Sequence, residues 1–77
     1  MKSVPFRIRV GRALRKRREA TGMSQESFAP LVRMHRSKYA AVERGTQNIR
    51  VTTLENICRA LKVSMWRVLK EAEEEPS

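Results

Sequence analysis

Long cationic side chains alternate with small ones over a short stretch near the middle of the chain. The residues are Arg36, Ser37, Lys38 and Arg44, with two alanines between them. Small side chains let a helix lie close to a polyanion, while long cationic ones reach its phosphates and base edges. The surrounding segment 22–45 has the pattern of two short helices joined by a tight turn. These features predict a surface that binds DNA.

The start of the second of these helices carries the candidates for reading bases. The planar guanidinium of Arg36 can bond guanine O6 and N7 together, which discriminates between bases by about 1–3 kcal/mol. The alternatives for Arg36 are a phosphate contact and a solvated side chain. Ser37 lies in the same turn and is a second base-reading candidate. Lys38 can reach either a base or a phosphate, and we include it with the first two.

Residues on either side of this helix are predicted to contact the DNA backbone. They are Arg33, Arg44, Gln47 and Asn48. Asn48 has an alternative role, which is to organise its loop by bonding nearby main chain. Residues 15–18 form the largest basic cluster, for which phosphate contact and a solvated helix face are both open, and Arg17 is our candidate for the contact. Glu43 is predicted to pair with Arg17 or Arg18 and so to fix the helices.

Charge is distributed unevenly along the 77 residues, which are enough for one domain, 1–77. Residues 1–50 hold 13 basic and 3 acidic residues, a net of +10, whereas residues 51–77 hold 4 basic and 5 acidic, a net of −1. The basic half is therefore expected to meet an anionic partner, and the other half to serve packing or self-association. A tail of acidic character, 71–77, is expected to fray and to aid solubility, because its charge opposes the helix dipole.

Several other classes of protein and site are disfavoured. Cys58 cannot form a disulfide within the chain and lies at helical spacing from apolar residues, so we interpret it as a core residue. His35 has no metal ligands at suitable spacing, and we predict neither a metal nor a cofactor. No apolar run approaches the roughly 18 residues of a membrane span, and the N-terminus lacks the apolar core of a secretory signal. We expect a cytoplasmic protein without membrane contact.

Apolar residues recur at helical spacing, which predicts an all-α chain of five helices. The first runs from about Pro5 to Thr21 and stops at Gly22. The second begins with Ser24 as N-cap and contains Pro30, which predicts a bend or a shortened helix. The remaining three are expected from His35 to Gly45, from about Thr52 to Leu61, and from Ser64 to near Glu74. The predicted inward residues of the second helix are Phe28, Leu31 and Val32.

The fifth helix carries more apolar surface than one monomer needs. Val68, Leu69 and Ala72 can satisfy the core, which leaves Met65 and Trp66 in surplus. A buried aromatic anchor is typical of protein interfaces. We assign Met65, Trp66 and Leu69 to a homodimer interface, with core packing as the alternative for Trp66.

The motifs taken together resemble the lambda-repressor-like, Cro/cI-type helix-turn-helix family over about residues 7–70. The matching positions are Gly22-Met-Ser-Gln-Glu, Ala29, Met34-His-Arg-Ser, Tyr39, Val42-Glu-Arg-Gly45, Asn48, Leu54 and Ala60-Leu-Lys-Val-Ser64. Arg33 departs from the pattern, because this turn position is often glycine and predicts a positive φ. Pro30 also replaces a usually polar residue.

The resemblance implies a five-helix domain with a helix-turn-helix at about 24–44, whose third helix enters the major groove, and a homodimer joined through the last helices. Gln25 matches the family glutamine that bonds a phosphate and braces the recognition helix. Ala41 matches a base-contacting position, where alanine can touch a thymine methyl group; a helix-favouring bystander is the alternative. Single-domain members of this length resemble restriction–modification controllers or small phage and plasmid repressors.

We therefore expect a bacterial or phage-encoded transcription regulator that binds double-stranded DNA as a homodimer, with two half-sites about 34 Å apart. It would act sterically or by contacting RNA polymerase. One alternative is an antitoxin whose main partner is a toxin and which autoregulates through DNA. Membrane-surface and RNA-binding proteins fit less well, because the chain has few exposed aromatics. An enzyme fits worst, since no nucleophile with a supporting base is present.

Overall fold

A computed structural model describes residues 4–75 of the chain. Within this range the fold consists of five α-helices and one 3-10 helix, with no strand. They are α1 (Phe6–Ala20), α2 (Gln25–Phe28), the 3-10 helix (Ala29–Val32), α3 (Arg36–Arg44), α4 (Val51–Leu61) and α5 (Met65–Glu74). The predicted all-α class and the number of α-helices are confirmed. No helix in the described part is long and apolar enough to cross a membrane.

Pro30 shortens the second helix rather than bending it. The Oγ of Ser24 accepts a hydrogen bond from the Ser27 amide at 3.1 Å, as expected of an N-cap. Since Pro30 has no N–H and its ring crowds the preceding turn, the chain changes to 3-10 winding at Ala29. The tighter winding rotates Leu31 outward, where its side chain is 59% exposed. Its predicted inward position was therefore wrong.

Arg33 and Gly45 delimit α3, each in the left-handed backbone region. Arg33 ends the 3-10 helix with φ 55°, as its place in the turn predicts, and its amide bonds the carbonyl of Pro30. Gly45 ends α3 with φ 71°. A non-glycine residue pays a small conformational cost in this region, so the geometry of the turn before α3 is set by packing rather than by the preference of Arg33.

The core lies where α1, α3, α4 and α5 converge. Its largest fully buried side chains are Leu14, Phe28, Tyr39, Ile57 and Val68. The rings of Phe28 and Tyr39 pack with their centroids 5.1 Å apart, which joins α2 to α3. Cys58 is buried among these residues, in agreement with its prediction as a core side chain.

The last turn of α5 is docked on α1, so the expectation of a frayed tail was wrong within the described part of the chain. Arg9 Nη1 donates to the carbonyl of Ala72 at 3.1 Å, and Arg12 Nη1 lies 3.1 Å from Glu75 Oε2. Arg9 caps a C-terminal carbonyl and Arg12 compensates an acidic side chain, and both contacts offset the unfavourable helix-dipole effect. Residues 76–77 of the predicted tail lie outside the described residues.

Candidate nucleic-acid interface

The first turn of α3 presents its polar side chains to solvent. Arg36, Ser37 and Lys38 are all exposed. None of the ion pairs formed within residues 4–75 involves Arg36 or Lys38. Their exposure is what base contacts require, while the contacts themselves stay a prediction.

Arg36 and Lys38 lie at the N-terminal end of α3, where the helix dipole is positive. The first turn of α3 contains no acidic residue and no side-chain cap. The positive end of the helix dipole disfavours Arg36 and Lys38 by about 0.3–1 kcal/mol each. The same backbone N–H groups attract an anion, and the cations add to that attraction. The arrangement therefore lowers the stability of the free protein in exchange for a site that favours negative charge.

Ala41 does not belong to this surface. Its side chain is 5% exposed, within a run of five buried residues from Tyr39 to Glu43. The run is buried because the middle of α3 packs against α1 and α2. Ala41 therefore offers almost no area to a base, and its assignment as a base-contacting residue was wrong.

Further polar residues extend the exposed surface on both sides of α3. Arg33, Arg44, Gln47 and Asn48 are exposed, as backbone contacts require. A groove beside the start of α3 is lined by Arg33, Lys38, Gln47, Asn48 and Arg50, together with apolar side chains. Its cationic walls suit a phosphate backbone.

Arg50 was missed as a site residue by the sequence analysis. It is exposed in the N-cap position of α4 and brings a third cation to the groove. The available signal was a basic residue in the loop that follows the basic helix.

Arg17 lies on another part of the molecule, contrary to its assignment as a DNA-backbone contact. Its Nε donates to Glu71 Oε1 at 3.3 Å, and its Nη2 donates to Glu71 Oε2. The hydrogen bond to Glu71 raises the pKa of the Arg17 guanidinium. Because Arg17 and Glu71 line a groove between α1 and α5 that shares no residue with the groove beside α3, we remove Arg17 from the candidate site.

A buried polar cluster ties α3 to α1 and α2. Arg18 Nε donates to Glu43 Oε2 at 2.7 Å, and Arg18 Nη2 donates to Glu43 Oε1 at 3.1 Å. Gln25 Nε2 donates to Glu43 Oε1 at 2.8 Å. The prediction that Glu43 pairs with an α1 arginine is confirmed, with Arg18 rather than Arg17. Gln25 thus braces α3 as the resemblance implies, while its phosphate contact stays a prediction.

This environment holds Glu43 in its charged form. Burial raises the pKa of its carboxyl, but the hydrogen bonds from Arg18 and Gln25 outweigh burial, and the net pKa is lowered. The hydroxyl of Tyr39 is buried in the described structure without a hydrogen-bond partner. Burial and the negative charge of Glu43 raise the pKa of that hydroxyl. The cluster is therefore a fixed ionic link rather than a group that titrates near neutral pH.

The far end of α3 is locked onto α1 at two points. A Cβ added to Gly11 would lie 2.4 Å from the carbonyl oxygen of Glu43, and one added to Gly45 would lie 2.5 Å from Ile8 Cα. Arg7 Nε donates to the carbonyl of Gly45 at 2.9 Å. Only glycine permits such close approach, so the backbone of α3 is held firmly while its first turn stays open.

Comparison with known proteins agrees with this geometry. A family described as the helix-turn-helix domain matches residues 9–71. The chain belongs to the helix-turn-helix domain family. It is 36% identical over 71 residues to the control protein C.MunI from Mycoplasma sp, covering 91% of this chain and 96% of that protein.

Two solved structures of helix-turn-helix proteins illustrate the relationship. The clp gene regulator ClgR from C. glutamicum superimposes with a TM-score of 0.87 and 30% identity, covering 92% of each chain. The restriction–modification controller protein C.Esp1396I, solved as a tetramer in complex with its natural 35 base-pair operator, gives a TM-score of 0.78 and 28% identity. That match covers 94% of this chain and 100% of the other.

The helix-turn-helix protein also carries an apolar patch on α5. Trp66 is 59% exposed, with the Arg67 guanidinium carbon 5.3 Å from the ring centroid. Met65 and Leu69 are half-buried beside it, whereas Val68 is fully buried. The exposure of Trp66 removes core packing as its alternative role. Its place in a dimer interface stays a prediction.

Proposed function

We propose that this chain is a sequence-specific, double-stranded-DNA-binding transcription regulator of the restriction–modification controller type. The observation that carries the proposal is the first turn of α3, where exposed cations without an ionic partner precede a run of five buried residues. Membership of the helix-turn-helix family, with a control protein as relative, supports the same function.

Contacts with DNA are divided by position. Arg36, Ser37 and Lys38 read base edges in the major groove, because side chains in the first turn of a recognition helix reach deepest. Residues around the groove bind phosphates and supply the salt-dependent part of the affinity. The proposed backbone contacts are Gln25, Arg33, Arg44, Gln47, Asn48 and Arg50.

A homodimer would present two such surfaces to one operator. The apolar patch of Met65, Trp66 and Leu69 is the proposed interface, since an exposed tryptophan beside half-buried apolar residues has the composition of a hot spot. Two-fold symmetry of the protein implies a two-fold symmetric operator, with half-sites about 34 Å apart. The operator tetramer of C.Esp1396I supports oligomeric binding in this family.

Regulation follows from occupancy of the operator, without a chemical step performed by the protein. The bound dimer acts sterically or through a contact with RNA polymerase, in the cytoplasm of a bacterial cell and in association with its nucleoid. The alternative of an antitoxin gains no support, because the relatives compared are control proteins and gene regulators.

Selection of bound duplexes from a random pool tests this function. The expected result is a two-fold symmetric site, and the same selection with Arg36→Ala is expected to relax one position in each half-site. Arg59→Ala is a matched control, because Arg59 is exposed on α4 and pairs with Glu55. A pool without symmetry, or one that Arg36→Ala leaves unchanged, would contradict the assigned roles.

A further inference from the structure

The cations of α1 and those around α3 differ in whether they have partners within the protein. Around α3, the exposed basic residues take part in none of the ion pairs of the described range. On α1, five arginines donate to carbonyls or carboxylates outside the helix, and Arg15 pairs with Glu19 within it. The five are Arg7, Arg9, Arg12, Arg17 and Arg18.

The acidic partners of Arg17 and Arg12 come from the C-terminal end of α5 and from the residue that follows it. Arg17 pairs with Glu71, and Arg12 pairs with Glu75. The arginine side chains are still 34% and 53% exposed, so both would face solvent if the carboxylates were absent. The groove between α1 and α5 shares no lining residue with the groove beside α3. Residues 4–75 thus form two separate cationic surfaces, and on the one between α1 and α5 the chain's own carboxylates neutralise part of the charge.

The groove between α1 and α5 resembles the groove beside α3 in that cations line both. Its groove is lined by Arg9, Arg12, Arg15, Lys16 and Arg17, against the glutamates of the last turn of α5 and Glu19. A row of cations of this kind binds nucleic acid without regard to sequence, because each phosphate neutralised releases counterions. Carboxylates already paired with Arg12, Arg15 and Arg17 reduce that gain.

We propose that Glu71 and Glu75, at the C-terminal end of α5, act as an internal substitute for phosphate. They are specificity-determining residues because they prevent DNA from binding to the arginines of α1. The inference rests on the proposed DNA-binding function. Sequence preference depends on the ratio of specific to non-specific affinity. If the arginines of α1 were not paired with glutamates, the non-specific affinity would rise and the specific affinity would not. The glutamates therefore set the ratio of the two affinities.

Binding titrations of Glu71→Gln test the proposal, using the selected operator and an unrelated duplex over a range of salt. For the unrelated duplex, we expect several-fold tighter binding at low salt and a salt slope steeper by about 0.9 for each arginine released. Glu75→Gln should act in the same direction. It repeats the test at a second pair, whose carboxylate belongs to the residue that follows α5.

Two controls separate masking from other effects. Glu55→Gln changes the net charge equally but lies on α4, where its partner Arg59 is already 70% exposed, and it should leave the ratio unchanged. The double variant Arg17→Gln/Glu71→Gln loses the pair without freeing a cation, and it should return non-specific binding to the level of the unchanged protein.

Two results would overturn the inference: equal effects of Glu71→Gln and Glu55→Gln, or a double variant that binds as tightly as Glu71→Gln. The first would show a general effect of net charge, and the second a loosened α5. Either leaves the proposed function intact, whereas absence of operator preference in the unchanged protein contradicts the proposed function itself.

Discussion

Arg18 and Glu43 form a two-point ion pair across the α1–α3 interface, with N–O distances of 2.7 and 3.1 Å. Both side chains are nearly inaccessible, at 8% and 2% exposed. Arg18 also donates to the carbonyl of Met23 at 2.7 Å, so the same guanidinium holds the segment that leads into α2. One buried charge pair thus links α3 to α1 and to the segment that leads into α2.

Lowering the pH should weaken the ion pair between Arg18 and Glu43 and so lower the free energy of unfolding. The pKa of Glu43 in the folded protein lies below its ordinary value of 4.5. The stabilisation is therefore fully present above pH 4.5 and is lost as pH falls through the lower, folded-state pKa. We expect Glu43→Gln to lower the free energy of unfolding by about 3 kcal/mol at pH 7, because Arg18 is left as an unpaired buried charge.

Urea unfolding of both proteins from pH 7 to pH 3 measures this effect. The difference between them should shrink as the pH falls below 4.5, because Glu43 of the unchanged protein then becomes protonated, and neutral like the glutamine of the variant. A difference that stays constant over this range would contradict the ionic role of Glu43.

Gly11→Ala should separate α1 from α3. The new methyl group would lie 2.4 Å and 2.6 Å from the carbonyl oxygens of Glu43 and Val42, which are backbone atoms and cannot rotate away. Overpacking costs about 1–3 kcal/mol, and alanine regains about 1 kcal/mol of helix propensity. We expect a net loss of about 1–2 kcal/mol in urea unfolding, together with weaker operator binding.

Gly22→Ala is the comparison for this variant. Gly22 has a positive φ but no atom within 4 Å of an added Cβ. Its substitution should lower the free energy of unfolding by about 1 kcal/mol through backbone strain alone. The folded variant should bind the operator as tightly as the unchanged protein. A Gly11→Ala protein as stable as the unchanged chain would show that the helices move apart freely.

Arg50→Ala should weaken binding to all DNA sequences alike. If Arg50 contacts a phosphate, its loss reduces the salt slope by about 0.9 per chain and leaves the selected sequence unchanged. Affinity measured against salt concentration gives this slope. Arg12→Ala is the matched control, because Arg12 is occupied by Glu75 and should leave the slope unchanged. Altered base preference in Arg50→Ala would instead make Arg50 a base-reading residue.

Trp66→Ala should weaken self-association. Truncating a central aromatic anchor typically costs 2 kcal/mol or more, which is roughly a thirtyfold weaker dimer. Sedimentation at micromolar concentrations measures the change. Leu31→Ala is a well-matched control, since Leu31 is also 59% exposed but lies on the 3-10 helix. Unaltered association of Trp66→Ala would remove this residue from the interface.

Local signals predicted most of the fold. Ser24 and Gly45 marked helix ends, Pro30 marked the interruption of α2, and the helical spacing of Cys58 from apolar residues marked the inner face of α4. Such signals depend on neighbours in sequence, which is why they could be read without a structure.

Contacts between side chains that are distant in sequence could not be predicted from such local signals. Arg17 and Arg18 are adjacent in sequence, yet one faces Glu71 and the other Glu43, because successive residues on a helix point about 100° apart. The sequence contained both partners but not the packing of α1 between α3 and α5. The burial of Ala41 was missed for the same reason, since only the neighbouring helices determine how much of α3 is covered.

The anchoring of α3 through Arg7, Gly11 and Gly45 has an energetic consequence for recognition. A helix already immobilised in the free protein is preorganised, so association need not order its backbone. The entropy still to be lost belongs to flexible side chains such as Arg36 and Lys38, at about 0.5–1.5 kcal/mol for each one immobilised. Discrimination between operators is then decided by the rotamers of a few long side chains on a rigid support.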